Sequence, residues 1–167
     1  VSIKKGQEAH TKYYIKTKST NVALSFELGS LDAKKLITIS KRTPYLFRDF
    51  PLIGSEKFFF PFVLNGLKFN PTEDRDGLLL HSAESAEAQE NRTYVEEAFE
   101  LAKVFVNDLI VENVKNRYIF ANSRLPFEKW ENTSKDWYVK LQRNYRNYLL
   151  DKPIVETEAG SIENLRD

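Results

Sequence analysis

Residues 44–80 read PYLFRDFPLIGSEKFFFPFVLNGLKFNPTEDRDGLLL, and the organisation of the whole chain turns on this stretch. It holds four of the six prolines (Pro44, Pro51, Pro61, Pro71) and three of the six glycines. Proline fixes φ and removes a backbone donor, so no regular multi-stranded ladder can run through it. The same stretch carries Phe47, Phe50, Phe58, Phe59, Phe60, Phe62 and Phe69. Apolar content with so many breakers reads as a buried, irregular and ordered segment, with its best strands at 62–65 and 78–81. Polar residues are fixed between the breaks: Gly54, Ser55 and Glu56, then Asn65 and Gly66, then Asn70, Pro71, Thr72 and Glu73. Asparagine at such breaks caps turns and satisfies buried backbone.

On the N-terminal side the pattern is that of sheet. Residues 12–19 (KYYIKTKS) and 21–28 (NVALSFEL) are aromatic-rich and roughly alternating, although Ala23 and Phe26 loosen the alternation. A third run, 35–40 (KLITIS), is rich in β-branched residues, and all three suit strands. Ser19-Thr20-Asn21 has turn composition, so the first two runs read as a hairpin. On the C-terminal side the pattern is helical. After a polar, acidic stretch at 82–92, a helix is expected at about 93–115, with Val95, Ala98, Phe99, Ala102, Val106, Leu109 and Ile110 recurring every three or four residues. Val104, Phe105 and Val111 widen that stripe. Residues 117–121 (RYIFA) suit a strand or a helix end. A second helix is expected at about 134–150, opened by Thr133 and Asp136, with Trp137, Leu141, Tyr145, Tyr148 and Leu149 on one face. The order of elements implies an α+β domain over 1–152, followed by a mobile acidic tail over 153–167.

The chain has 167 residues, no cysteine, two histidines and a formal net charge of +1. Its size favours one domain. Disulfides, thiolate chemistry and cysteine metal sites are excluded, and the spacing of His10 and His81 does not ask for a metal. Near-neutrality offers no strong field toward nucleic acid or membrane, and no apolar run approaches the ~20 residues of a membrane helix. The chain begins with Val and lacks Met, so it reads as a piece of a longer protein or a processed form, and its expected location is cytoplasmic. Sequons at Asn91 and Asn132 are irrelevant in that setting.

Local chemistry is sparse. There is no P-loop and no GxGxxG run. Ser55 follows Gly54 without a nucleophile elbow, and Ser82 beside His81 is only adjacency. The acids of Glu73-Asp74-Arg75-Asp76-Gly77 lack the alternate spacing of a calcium loop. They read either as a solvated turn or as a loop whose arginine meets an anion presented from elsewhere. A carboxylate-based enzyme site at Glu73, Asp74 and Asp76 is a further alternative. The helix at 134–150 sets Lys135, Lys140, Arg143 and Arg146 against Asp136 and interleaves tyrosines. Such a pattern can hold single-stranded nucleic acid, although tyrosines on the core and arginines in water explain it more simply.

The segment FRDFPLIGSEKFFFPFVLNGLKFNPTEDRDGLLL resembles one that follows the ATP-binding domain in large bacterial heat-shock-chaperone-like ATPases of the GHKL class. The residues that carry the resemblance include Pro51, Gly54, Ser55, Glu56, Asn65, Asn70, Pro71, Thr72, Glu73, Arg75 and Asp76. It is more distantly similar to the sacsin repeat, and more weakly to the transducer domain of MutL-type mismatch-repair ATPases. The ATP-binding boxes of that class are missing from this chain. The resemblance therefore implies a non-catalytic middle domain, with helices on one face of a mixed sheet in the manner of the ribosomal S5 second domain. It implies no cofactor held by this chain, with ATP and Mg in the parent protein. The implied partners are the neighbouring ATP-binding domain and a protein client. It also implies one basic residue offered to the γ-phosphate, Arg75 by position and Lys68 as the other candidate. A nucleic-acid module using Lys140, Arg143 and Arg146 is the alternative.

Overall fold

Alternation between Tyr13 and Leu28 builds the hairpin that starts the main sheet. In the computed structural model, which describes residues 2–5, 8–11, 13–30, 32–58, 60–82, 84–122, 132–156 and 162–164, the chain opens with strands β1 (Ser2–Lys5) and β2 (Glu8–Thr11), an antiparallel pair. Strands β3 (Tyr13–Lys18) and β4 (Val22–Leu28) follow, paired antiparallel from Tyr13↔Leu28 to Lys18↔Ala23. Val22, Leu24 and Phe26 are all buried, so Phe26 keeps the alternation after all. The run 35–40 makes no strand: Lys35 and Leu36 form isolated bridges and 37–40 is irregular.

The proline-rich stretch supplies only short strands, as its breakers require: β5 (Leu46–Arg48), β6 (Phe50–Pro51) and β7 (Val63–Gly66), with a single 3-10 turn at Ser55–Phe58. The sheet order is β3-β4-β7-β5-β6. All its pairs are antiparallel except β5 with β7, so the sheet is mixed. Residues 78–81 contribute only a bridge from Leu78 to Pro71, with Leu78 and Leu80 buried.

Helix α1 spans Ala86–Val111 and starts well before residue 93. The Ser85 hydroxyl accepts the Ala88 N–H as its N-cap, and the polar residues that follow are good helix formers. The expected apolar stripe is buried from Val95 to Leu109, with Phe105 joining it; Val104 and Val111 instead face water at 57% and 83% exposure. A 3-10 turn at Arg117–Ala121 replaces the strand considered for RYIFA. Helix α2 spans Asn132–Leu150, and its core face is Ser134, Tyr138, Gln142, Tyr145 and Leu149. Strands β8 (Pro153–Glu156) and β9 (Ile162–Asn164) pair antiparallel. Ile154 is fully buried, so the core extends past the expected boundary at residue 152; tail residues 157–161 and 165–167, like Phe59, lie outside the described residues.

The class is α+β. Helix α1 packs on the face of the sheet that carries Val22, Leu24, Phe26 and Leu64, and α2 packs on α1. Between them sits an aromatic cluster. The Phe60 ring lies 5.9 Å from Phe62, 6.0 Å from Phe99 and 5.9 Å from Tyr138, and Phe26 lies 4.4 Å from Phe120. Rings at these distances add to plain area burial. Phe58, Phe60, Phe62 and Phe69 of the proline-rich stretch are therefore core, whereas Phe47 is half-buried and Phe50 is 39% exposed.

Candidate functional site

Two loops from opposite ends of the proline-rich stretch meet. Gly54 has φ +108°, a conformation that side chains rarely adopt, and a Cβ there would stand 2.7 Å from Cβ of Asp76. Gly77, next along, is pressed against the Phe58 ring, where a Cβ would come within 2.6 Å. Glycine at 54 and 77 is what lets the 52–58 turn and the 72–77 turn share one surface.

The 72–77 turn is closed from within. The Thr72 N–H donates to the Gly77 carbonyl (3.0 Å) and the Arg75 N–H to the Thr72 carbonyl (2.9 Å). The Thr72 hydroxyl donates to an Asp76 carboxylate oxygen at 2.7 Å, and the Asp76 N–H donates back to that hydroxyl at 3.2 Å. Asp76 is thereby spent on the turn. Arg75 sits in the left-handed region at φ 54°, exposed, with its guanidinium over the Phe50 ring, 5.4 Å from the centroid. Among the described residues it makes no ion pair with Glu73, Asp74 or Asp76. Pro51, beside Phe50 in the edge strand β6, is exposed.

The other motif residues are structural in what they touch. Ser55 is fully buried, and its hydroxyl accepts the Leu46 N–H at 3.1 Å, which fits a backbone cap rather than a nucleophile. Glu56 lies half-buried in the first turn of the 3-10 segment. The Asn70 N–H donates to Asn91 Oδ1 (2.8 Å), and the Asn91 amide donates to the carbonyls of Asn70 (2.8 Å) and Leu79 (3.0 Å). Pro71 bridges Leu78. The Asn70 amide also donates to Glu90 (2.8 Å), which together with the Tyr94 hydroxyl and, more weakly, Lys68 holds the Glu90 carboxyl below its ordinary pKa. Lys68, exposed after β7, is thus placed near the start of α1, whereas Arg75 is supported by Phe50.

Asn91 is the residue that sequence reading missed. It is fully buried and ties the 70–79 loop to α1. The available signal was its position four residues before Val95, on the apolar stripe. Glu97 is a second omission. It accepts from the hydroxyl of Ser19, from the Asn21 amide (2.9 Å) and from the Asn21 N–H (3.4 Å), latching the β3–β4 turn to α1. Burial pushes the Glu97 pKa up, but these hydrogen bonds outweigh it and the net direction is down.

Glu73, Asp74 and Asp76 are exposed, and among the described residues no three carboxylates or histidines converge on a point that could hold a metal. On α2, Lys140, Arg143 and Arg146 are exposed, but Tyr138 and Tyr145 are fully buried. The Tyr148 hydroxyl donates to the Lys103 carbonyl at 2.8 Å, and Lys152 covers its ring at 4.7 Å. The aromatic faces that base stacking needs are occupied. Among the described residues no helix is long and apolar enough to cross a membrane. Comparison with family models, with curated proteins and with solved structures finds no match to this chain.

Proposed function

We propose that this domain is a non-catalytic coupling module of a larger, cytoplasmic chaperone-like ATPase of the GHKL class. In this reading it follows the ATP-binding domain, has the topology of the ribosomal S5 second domain, and passes the nucleotide state to the rest of the protein and its client. ATP and Mg belong to the neighbouring domain. The observation that supports the reading best is the presentation of Arg75: exposed, braced on Phe50, and free of ion pairs with the three acids of its own loop among the described residues. A solvated turn would gain from pairing those charges. A cation held off them is placed for an anion arriving from outside.

The test is ATP turnover by the full-length parent carrying Arg75→Ala, with Lys68→Ala as the matched variant. Arginines that stabilise phosphoryl-transfer transition states contribute up to ~10³–10⁵ in rate. The expected result is at least a tenfold loss, about 1.4 kcal/mol, in Arg75→Ala at an unchanged melting temperature. Loss in Lys68→Ala alone would move the role to Lys68. Unchanged turnover in both, or unfolding of Arg75→Ala, would reduce the arginine to a turn residue and remove the main support for the reading.

A further inference from the structure

The two edges of the main sheet differ. At one edge β6 has two residues, and one of them, Pro51, carries no N–H. At the other edge β3 has six residues, Tyr13–Lys18, with no proline and an unbroken register against β4. Among the described residues no strand pairs with the outer side of β3.

The hairpin fixes which backbone groups of β3 point outward. The Ser19 N–H donates to the Val22 carbonyl at 2.9 Å, which makes Ser19 and Val22 a hydrogen-bonded pair. Such pairs alternate along an antiparallel ladder, so Thr17, Ile15 and Tyr13 bond to Leu24, Phe26 and Leu28. The far side of the hairpin agrees: the Asn21 and Glu27 carbonyls point away from β3 and accept the N–H groups of Leu67 and Ile37. The N–H and C=O groups of Tyr14, Lys16 and Lys18 are thus turned out from the sheet edge. The side chains of these three residues are exposed on the face opposite α1, where they pair across with Glu27, Ser25 and Ala23. Ile15 and Thr17 lie on the α1 side, paired with Phe26 and Leu24.

An open edge is a template for a further strand. Charge selects which one. Centred on Lys16, a β3–β3 pair of two copies sets that residue against itself, and centred on Thr17 it sets Lys16 against Lys18. Like charges directly opposite are destabilising, whereas opposite charges there are favourable. We propose that β3 is the docking edge for an extended segment of a partner polypeptide, added as an antiparallel strand. That segment carries carboxylates at the alternate positions opposite Lys16 and Lys18, and β-branched apolar residues opposite Ile15 and Thr17. The main-chain groups of Tyr14, Lys16 and Lys18 supply the attachment, and the two lysines supply the selection. The edge is separate from Arg75 and does not rest on the ATPase reading.

The experiment is titration of the ¹⁵N-labelled chain with the peptide acetyl-Glu-Val-Glu-Val-Thr-amide, followed by amide shifts and hydrogen exchange. Saturable binding is expected, with exchange slowed at Tyr14, Lys16 and Lys18 and unchanged at Ile15 and Thr17, whose N–H groups are already bonded. A peptide with lysine in place of both glutamates should bind at least about fourfold more weakly, from two cross-strand pairs changed from opposite to like charge. The surface variant Lys16→Glu, Lys18→Glu should invert that preference at an unchanged melting temperature. N-methylation of the two glutamates and the threonine of the peptide blocks the amides that face β3 and should abolish binding; N-methylation of its two valines should not. Equal binding of the acidic and basic peptides to the unaltered chain would overturn the proposal. So would full binding of the peptide methylated on glutamate and threonine, or no saturable binding of the acidic peptide. Slow exchange at Tyr14, Lys16 and Lys18 in the chain alone would overturn it too, because the edge is then already covered, by a second copy where the protection rises with concentration.

Discussion

Replacing Gly54 by alanine tests the join between the two turns that frame Arg75. Two separate penalties follow from the geometry. Gly54 has φ +108°, and forcing an L-residue with a Cβ into a left-handed backbone costs roughly 1–2 kcal/mol. The new methyl would also stand 2.7 Å from Cβ of Asp76 and 3.3 Å from its Cα, and overpacking of this kind costs about 1–3 kcal/mol. The sum is ~2–5 kcal/mol, which at a urea m-value of about 2 kcal/mol/M moves the unfolding midpoint by roughly 1–2.5 M. A double-mutant cycle separates the parts. Asp76→Gly removes the Cβ that is struck, so in the Gly54→Ala, Asp76→Gly double variant the steric share should be recovered as a coupling of ~1–3 kcal/mol while the backbone share remains. A loss below about 1 kcal/mol for Gly54→Ala, or a cycle that closes without coupling, would refute the argument that these turns are packed against each other.

Phe60→Ala should cost roughly 3–5 kcal/mol in denaturant melts, because rings from three segments surround Phe60 and limit collapse of the cavity; the exposed Phe50→Ala should cost less than ~1 kcal/mol, and similar values for the two would contradict the assigned core. Asn91→Ala leaves the Asn70 N–H and the carbonyls of Asn70 and Leu79 without their partner, so a loss of at least about 2 kcal/mol is expected from groups worth ~1–3 kcal/mol each, read as a fall in melting temperature; a loss of a few tenths would show that water replaces the amide freely. Glu97 has a depressed carboxyl pKa in the folded chain, so its stabilisation is complete above the ordinary glutamate pKa and disappears as the pH falls through the depressed value. Glu97→Gln should therefore be less stable than the unaltered chain at pH 7, with the gap closing in melts toward pH 3; a gap independent of pH would mean that the latch does not depend on charge.

What could be read from the sequence was local and periodic. The alternation of 13–28 fixed a hairpin, and the three-and-four spacing from Val95 to Leu109 fixed the buried face of α1. The errors arose where neighbours decide. KLITIS has strand composition, yet Ile37 is 40% exposed and only Lys35 and Leu36 find bridge partners, since β propensity is mostly the value of a neighbour to pack on. In α2 two adjacent stripes both carry aromatics. The sequence favours the one with Trp137, Leu141, Tyr145, Tyr148 and Leu149, of which Tyr145 and Leu149 are fully buried and the other three pack half-buried against the core. What it misses is that Tyr138 and Gln142 are buried as well, while Trp137 donates to Glu96 (2.5 Å) and lies under Arg92 (5.1 Å). The first turns of α1 look polar throughout, and one of their polar groups is hidden: Asn91 is buried and serves the 70–79 loop, while Glu87, Gln89 and Thr93 face water.

The candidate site was legible as a string and illegible as a shape. Three acids around one arginine read as mutual neutralisation, because sequence gives adjacency without direction. Direction comes from three things outside the tetrad. Thr72 captures Asp76, Gly54 lets the neighbouring turn close against it, and Phe50 receives the guanidinium. Each lies at least three residues from Arg75 in sequence and acts by filling space or satisfying a hydrogen bond. The loop's charges are thus given different partners, with Asp76 held at the surface by Thr72 and Arg75 laid over an exposed ring. Lys68 has no comparable support: it stands near the start of α1, where its field falls on Glu90. Of the two cations considered for an incoming phosphate, Arg75 is the one whose position the fold spends contacts to maintain.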